Sequence, residues 1–161
     1  EQITDKFIAS IHIKESIFDK ARLKGLGIAR QAALSKQSLE VFVAPKISNS
    51  TLAKIERTAV LNTLKAYGDY YFIYQFEHLI GYYSNYYTYM WSLAIAKDLF
   101  TKFNKKDLLD PKVAEHYRKT ILEPGGSKPA ADLVKDFLGR DWNMDAFREY
   151  LKEGEELLAR T

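Results

Sequence analysis

Tyrosine is the residue type whose placement asks for an explanation. Of the chain's 11 tyrosines all but Tyr117 and Tyr150 lie between Tyr67 and Tyr89, and Tyr82, Tyr83, Tyr86, Tyr87 and Tyr89 fall within the run FEHLIGYYSNYYTYMW, Phe76 to Trp91. A phenol with an ordinary pKa of about 10 stays protonated at neutral pH, so it donates a hydrogen bond without needing a proton from elsewhere. Phenols converging on one point would suit an oxygen that gains negative charge during a reaction. A helix beginning near Asn85 puts Tyr86 and Tyr89 one turn apart on one face, turns Tyr87 elsewhere, and leaves Tyr82 just ahead on a loop opened by Gly81. The other reading of the same spacing is that these rings fill a core or an interface, with their hydroxyls at its rim.

Other chemistries find less support. His12, His78 and His116 are far apart and none stands in an H-E-x-x-H pattern, so no complete metal site is visible; His12 and His116 read as polar helix faces. The absence of cysteine excludes disulfides, thiolate catalysis and cysteine-based metal centres. KGLG at Lys24 and PGGS at Pro124 are too short for a phosphate-binding loop; the second is a helix stop, although its free amides could also meet a carboxylate. No G-x-S-x-G turn is present, and Glu155 with Glu156 read as a solvated face of a charged terminal helix.

The elements that would hold the phenols are helical nearly throughout. Apolar residues recur at helical spacing from Thr4 through Ile11, and again from Ile17 through Ala21, Leu26, Ala29 and Ala33 to Leu39, predicting a short helix and a long one. Pro45 breaks the pattern, and Ser50 is the expected cap of a third helix ending near Gly68. The run DYYFIYQFEHLI is either extended or a buried helix end. A helix then runs to about Phe103. Asp110 with Pro111 starts the next, Ser127 caps another that Gly139 stops, and Asn143 caps the last. The expected fold is therefore all-α, an irregular multi-helix array forming one domain over residues 1–161.

The 161 residues are 47% hydrophobic and 28% charged, as in a globular domain, and the net charge of +3 gives no strong field. Nucleic-acid stacking would need a basic stripe beside the aromatics, and between Gly68 and Leu93 there is no Lys or Arg, so no nucleic-acid partner is expected. No apolar stretch is long enough to span a bilayer and no leader is evident, so no membrane association is expected, and zero cysteine fits the cytoplasm. The chain begins at Glu1 and is expected to be a piece of something longer.

HLIGYYSNYYTYMW resembles the glycine- and tyrosine-rich loop of the thimet oligopeptidase, neurolysin and oligopeptidase A family of zinc metallopeptidases, a histidine and a glycine-containing link before Tyr-x-x-x-Tyr-Tyr-x-Tyr-x-Trp. The matching positions are His78, Gly81, Tyr82, Tyr86, Tyr87, Tyr89 and Trp91. ILEPGGSKPAADLVKDFLGRD is similar to that family's C-terminal signature, and GIARQAALSKQSLEVF, more loosely, to its helix after the metal site.

The resemblance implies the C-terminal part of a zinc metalloendopeptidase catalytic domain, with the H-E-x-x-H motif and its glutamate ligand lying upstream of these residues. Zinc in the full-length enzyme would polarise the scissile carbonyl and activate water. On this reading Tyr82 and Tyr89 are oxyanion and carbonyl donors, His78 bonds the substrate backbone, Gly81 lets the loop close, and Tyr86 lines the same wall. The chain supplies no metal ligand, its partners are short peptide substrates and the upstream part of the same domain, and alone it is expected to be inactive. The rival expectation is a non-catalytic helical module whose aromatic groove binds a protein or peptide.

Overall fold

A computed structural model of the protein describes residues 24–64 and 71–159. The expected short helix from Thr4, the helix end near Gly68, and His12 lie outside them. The described residues are all-α, and extended pairing among them is limited to one bridge between Asn104 and Asp107. They divide into two compact units, with breaks between Met90 and Trp91 and between Lys152 and Glu153.

In the first unit, α1 spans 24–43 and α2 spans Asn49–Leu64. Each buries a narrow stripe at helical spacing, Ala33, Leu34, Gln37 and Ser38 on α1 and Ile55, Glu56, Ala59 and Val60 on α2. The cap of α2 is Ser48 rather than Ser50, its hydroxyl accepting from the Thr51 amide at 3.1 Å. The aromatic run beyond is helical where it is described, a 3-10 turn Phe72–Gln75 leading to α3, His78–Tyr82, a second 3-10 turn Tyr83–Tyr87, and α4, Thr88–Phe100. Ile73 and Phe76, three apart, turn inward together, which a strand would not allow. The Ile73 amide donates to Glu56 Oε1 at 3.2 Å, so a carboxylate replaces the partner that an extended segment would have needed.

In the second unit, α4 stops at Phe100 and the amides of Thr101, Lys102 and Phe103 close i→i+3 turns instead of continuing it. Asp110 caps α5, Pro111–Tyr117, accepting from the Lys112 amide at 2.9 Å with Pro111 at the first helical position. A π turn, Arg118–Leu122, and a 3-10 turn, Gly125–Ser127, precede α6, Ala130–Leu138. Ser127 does not cap α6; its hydroxyl donates to the Pro124 carbonyl at 2.7 Å, and extended Pro129 leads the helix in. Gly139 ends α6 at φ 72°, where a side chain would be strained. Asn143 accepts from the Asp145 amide at 2.9 Å and so caps α7, Asp145–Ala159.

Phe137 is the centre of this unit's packing, 5.3 Å from the Tyr117 ring and 5.2 Å from the His116 ring, whose Nε2 lies 3.3 Å from the Phe137 carbonyl. Buried Asp98 on α4 holds both terminal nitrogens of Arg140, at 2.8 and 2.5 Å, and accepts from the Asn143 amide at 2.8 Å. Trp91 and Trp142 meet edge to face with centroids 4.9 Å apart.

Candidate functional site

The phenols are brought together by a sharp reversal at the end of α3. Tyr83 has φ 51° and ψ −125°, the angles of the first central residue of a type II′ turn, where glycine is the usual occupant. Holding a tyrosine there costs about 1–3 kcal/mol, which the surroundings must offset. They do so from α1. Ser38, fully buried, donates to the Tyr83 carbonyl at 2.5 Å and accepts from the Tyr86 amide at 3.5 Å, while the Tyr83 ring packs edge-on against Phe42 at 5.6 Å. Gly81 does not open a loop; it sits inside α3 with open space where a Cβ would project, and the left-handed residue is Tyr83.

Tyr82 at the end of α3 and Tyr89 in the first turn of α4 come to 5.6 Å between ring centroids. His78 stacks on Tyr82 at 5.7 Å and 24°, and meets Tyr89 edge-on at 6.2 Å. Tyr86 lies against Tyr89 at 4.9 Å and against His78 at 5.4 Å. The four rings thus share one place. Their exposure separates them, since Tyr82 is 45% and Tyr89 41% accessible while Tyr86 is 6% and belongs to a core with Leu34 and Phe76. Interaction with the Tyr82 hydroxyl holds the Tyr89 phenol above its ordinary pKa, and burial and the charges of the Tyr82 and Tyr86 phenolates push it the same way. Tyr89 is therefore a neutral donor at physiological pH. A surface hollow of about 530 Å³ lies beside this group, lined by Ile73, Tyr74, Glu77 and Ile80 among others but not by Tyr82 or Tyr89.

Sequence reasoning missed the two polar side chains that hold this region from beneath. Ser38 clamps the turn at Tyr83, and Glu56, 1% exposed, caps the turn at Phe72. Burial raises the Glu56 pKa against the lowering effect of the Ile73 and Phe72 amides. Both residues were detectable as polar side chains standing on otherwise apolar stripe positions, Ser38 four residues after Leu34 and Glu56 four before Val60.

Among the described residues no group of three or more His, Cys, Asp or Glu side chains is placed to hold a metal ion. Among the same residues no helix is long and apolar enough to cross a membrane.

The model of Peptidase family M3 matches residues 2–153. Oligopeptidase A of Escherichia coli (strain K12) is 31% identical over 102 residues, 62% of this chain and 15% of that protein. Saccharolysin of Saccharomyces cerevisiae is 39% identical over 79 residues, 47% of this chain and 11% of the relative. Mitochondrial intermediate peptidase of Coprinopsis cinerea is 38% identical over 64 residues, 40% and 8% respectively. The chain thus spans at most 15% of the length of these relatives.

Proposed function

Since the chain belongs to peptidase family M3, we propose that it forms the C-terminal part of a zinc metalloendopeptidase acting on short peptides, with Tyr82 and Tyr89 as its catalytic side chains. The observation that carries this is the partnership of two half-exposed phenols, 5.6 Å apart, above a third that is buried beneath them. When a nucleophile adds to a peptide carbonyl, the carbon–oxygen π electrons move onto oxygen, which becomes an alkoxide. Neutral phenols donate more strongly to that oxygen than to the carbonyl it came from, so their effect is on the transition state.

His78, stacked on Tyr82, donates a ring N–H to the substrate backbone. Gly81, with nothing filling the space where its Cβ would be, lets that backbone approach α3 closely. Tyr86 sets the floor of the wall. Zinc is held by the remainder of the enzyme, and no contact described for these side chains depends on it. The remainder of the same catalytic domain is the chain's partner, and the cytoplasm is the assigned compartment, in keeping with the absence of cysteine.

The test is Tyr82→Phe and Tyr89→Phe in the intact zinc-loaded enzyme, assayed with a fluorogenic peptide. Each is expected to lower kcat by about 10²- to 10³-fold with the melting temperature unchanged. Wild-type kcat in both variants would overturn the assignment.

A further inference from the structure

Ser38 has no exposed surface and one hydroxyl, and that hydroxyl bridges the turn on which the phenol pair depends. Its two partners, the Tyr83 carbonyl and the Tyr86 amide, lie 45 and 48 residues downstream, so the contact is purely tertiary. One helical turn further along α1, Phe42 receives the Tyr83 ring. A single face of α1 therefore grips both the backbone and the side chain of the one described non-glycine residue with positive φ.

We infer that Ser38 is a positioning residue for the phenol pair: by locking Tyr83 in its left-handed conformation it sets Tyr82, before the turn, against Tyr89, after it. A tyrosine released from this grip relaxes toward negative φ, because its Cβ clashes at positive φ where glycine's hydrogen does not. Any such rotation swings the end of α3 relative to the start of α4 and separates the two hydroxyls. Ser38 itself contacts no substrate. The inference rests on the roles proposed for Tyr82 and Tyr89, but its geometric content is measurable without them.

The experiment places a fluorine label on the Tyr89 ring of the intact zinc-loaded enzyme and follows its alkaline titration by fluorine NMR. With Ser38 present, Tyr82→Phe should lower the Tyr89 titration midpoint, because the oxygen toward which the Tyr89 hydroxyl directs its proton is gone. With Ser38→Ala the midpoint should no longer respond to Tyr82→Phe, and kcat should fall about 10- to 10²-fold with little change in KM. Adding Tyr83→Gly should restore both properties, since glycine adopts positive φ without strain.

A Tyr89 midpoint that depends on Tyr82 equally with and without Ser38→Ala overturns the inference, whatever the activity. If Ser38→Ala uncouples the phenols while Tyr82→Phe and Tyr89→Phe leave turnover untouched, the positioning role stands and the catalytic reading falls. Should Ser38→Ala fail to fold, the S38A/Y83G double variant carries the test: coupling between the phenols supports the inference and its absence rejects it.

Discussion

Tyr86 and Tyr89 stand one turn apart with ring centroids at 4.9 Å, yet water reaches 41% of one and 6% of the other. That difference fixes what each should do when altered. Truncating Tyr86→Ala empties space against Leu34 and Phe76 and should cost about 3–5 kcal/mol, read as a lowered urea midpoint at unchanged m-value. Tyr89→Ala, on a half-exposed ring, should cost about 1 kcal/mol or less by the same measurement. Equal losses at the two positions would mean that Tyr86 is not a core residue. The one-turn spacing of the pair was readable in the sequence, but which phenol faces inward was not, because Leu34 and Phe76 reach Tyr86 from elsewhere in the chain. The strained backbone was misread for a related reason. Glycine at position 81 drew attention as the flexible point, whereas the conformation that favours glycine is borne by Tyr83, and only the grip of Ser38 and Phe42 makes that tolerable.

Two buried carboxylates tie elements together and should do so with opposite pH dependence. Burial raises the Glu56 pKa, so the folded state binds its proton more tightly than the unfolded chain; this contribution is fully present below the ordinary carboxylate value and is lost as pH rises through the folded one. The stability of Glu56→Gln relative to wild type should therefore improve between about pH 4 and pH 7, the amide still accepting from the Ile73 backbone. Asp98 is the reverse case. The Arg140 guanidinium holds its carboxyl below the ordinary range, helped by the Asn143 amide against the opposing effect of burial, so its contribution is present above the unfolded value and lost as pH falls through the folded one. Asp98→Asn should cost about 2–3 kcal/mol at neutral pH, at the lower edge for a buried pair because Arg140 is 42% exposed, and the gap should close below about pH 4. Urea midpoints across that range check both, and parallel profiles would refute the assignments. Neither tie could be read from the chain: Asp98 and Arg140 lie 42 residues apart, and periodicity carries no information about such pairs. The helix ends at Asp110, Gly139 and Asn143 were legible because a cap is chemistry within three or four residues. Ser50 and Ser127 were misplaced because neighbouring residues, Ser48 and Pro129, offered the backbone a competing start.

Across the whole molecule the all-α character followed from helical spacing sustained over most of the length, and the aromatic run escaped it because short 3-10 turns have too few residues to display a period. The matched stretches amount to 8–15% of the relatives' lengths. Expressed alone, the chain should give no chelator-sensitive cleavage of a fluorogenic peptide, and robust zinc-dependent turnover by it would contradict the division of labour between phenols and metal. The edge-to-face pair of Trp91 and Trp142 brings together both indoles of the sequence, and both lie in the second unit, whereas the described tyrosines other than Tyr117 and Tyr150 belong to the first. The chain thus contains two built-in optical reporters: indole emission follows melting of one half, phenol absorbance mainly that of the other, and a denaturation experiment needs no dye to learn whether they come apart together.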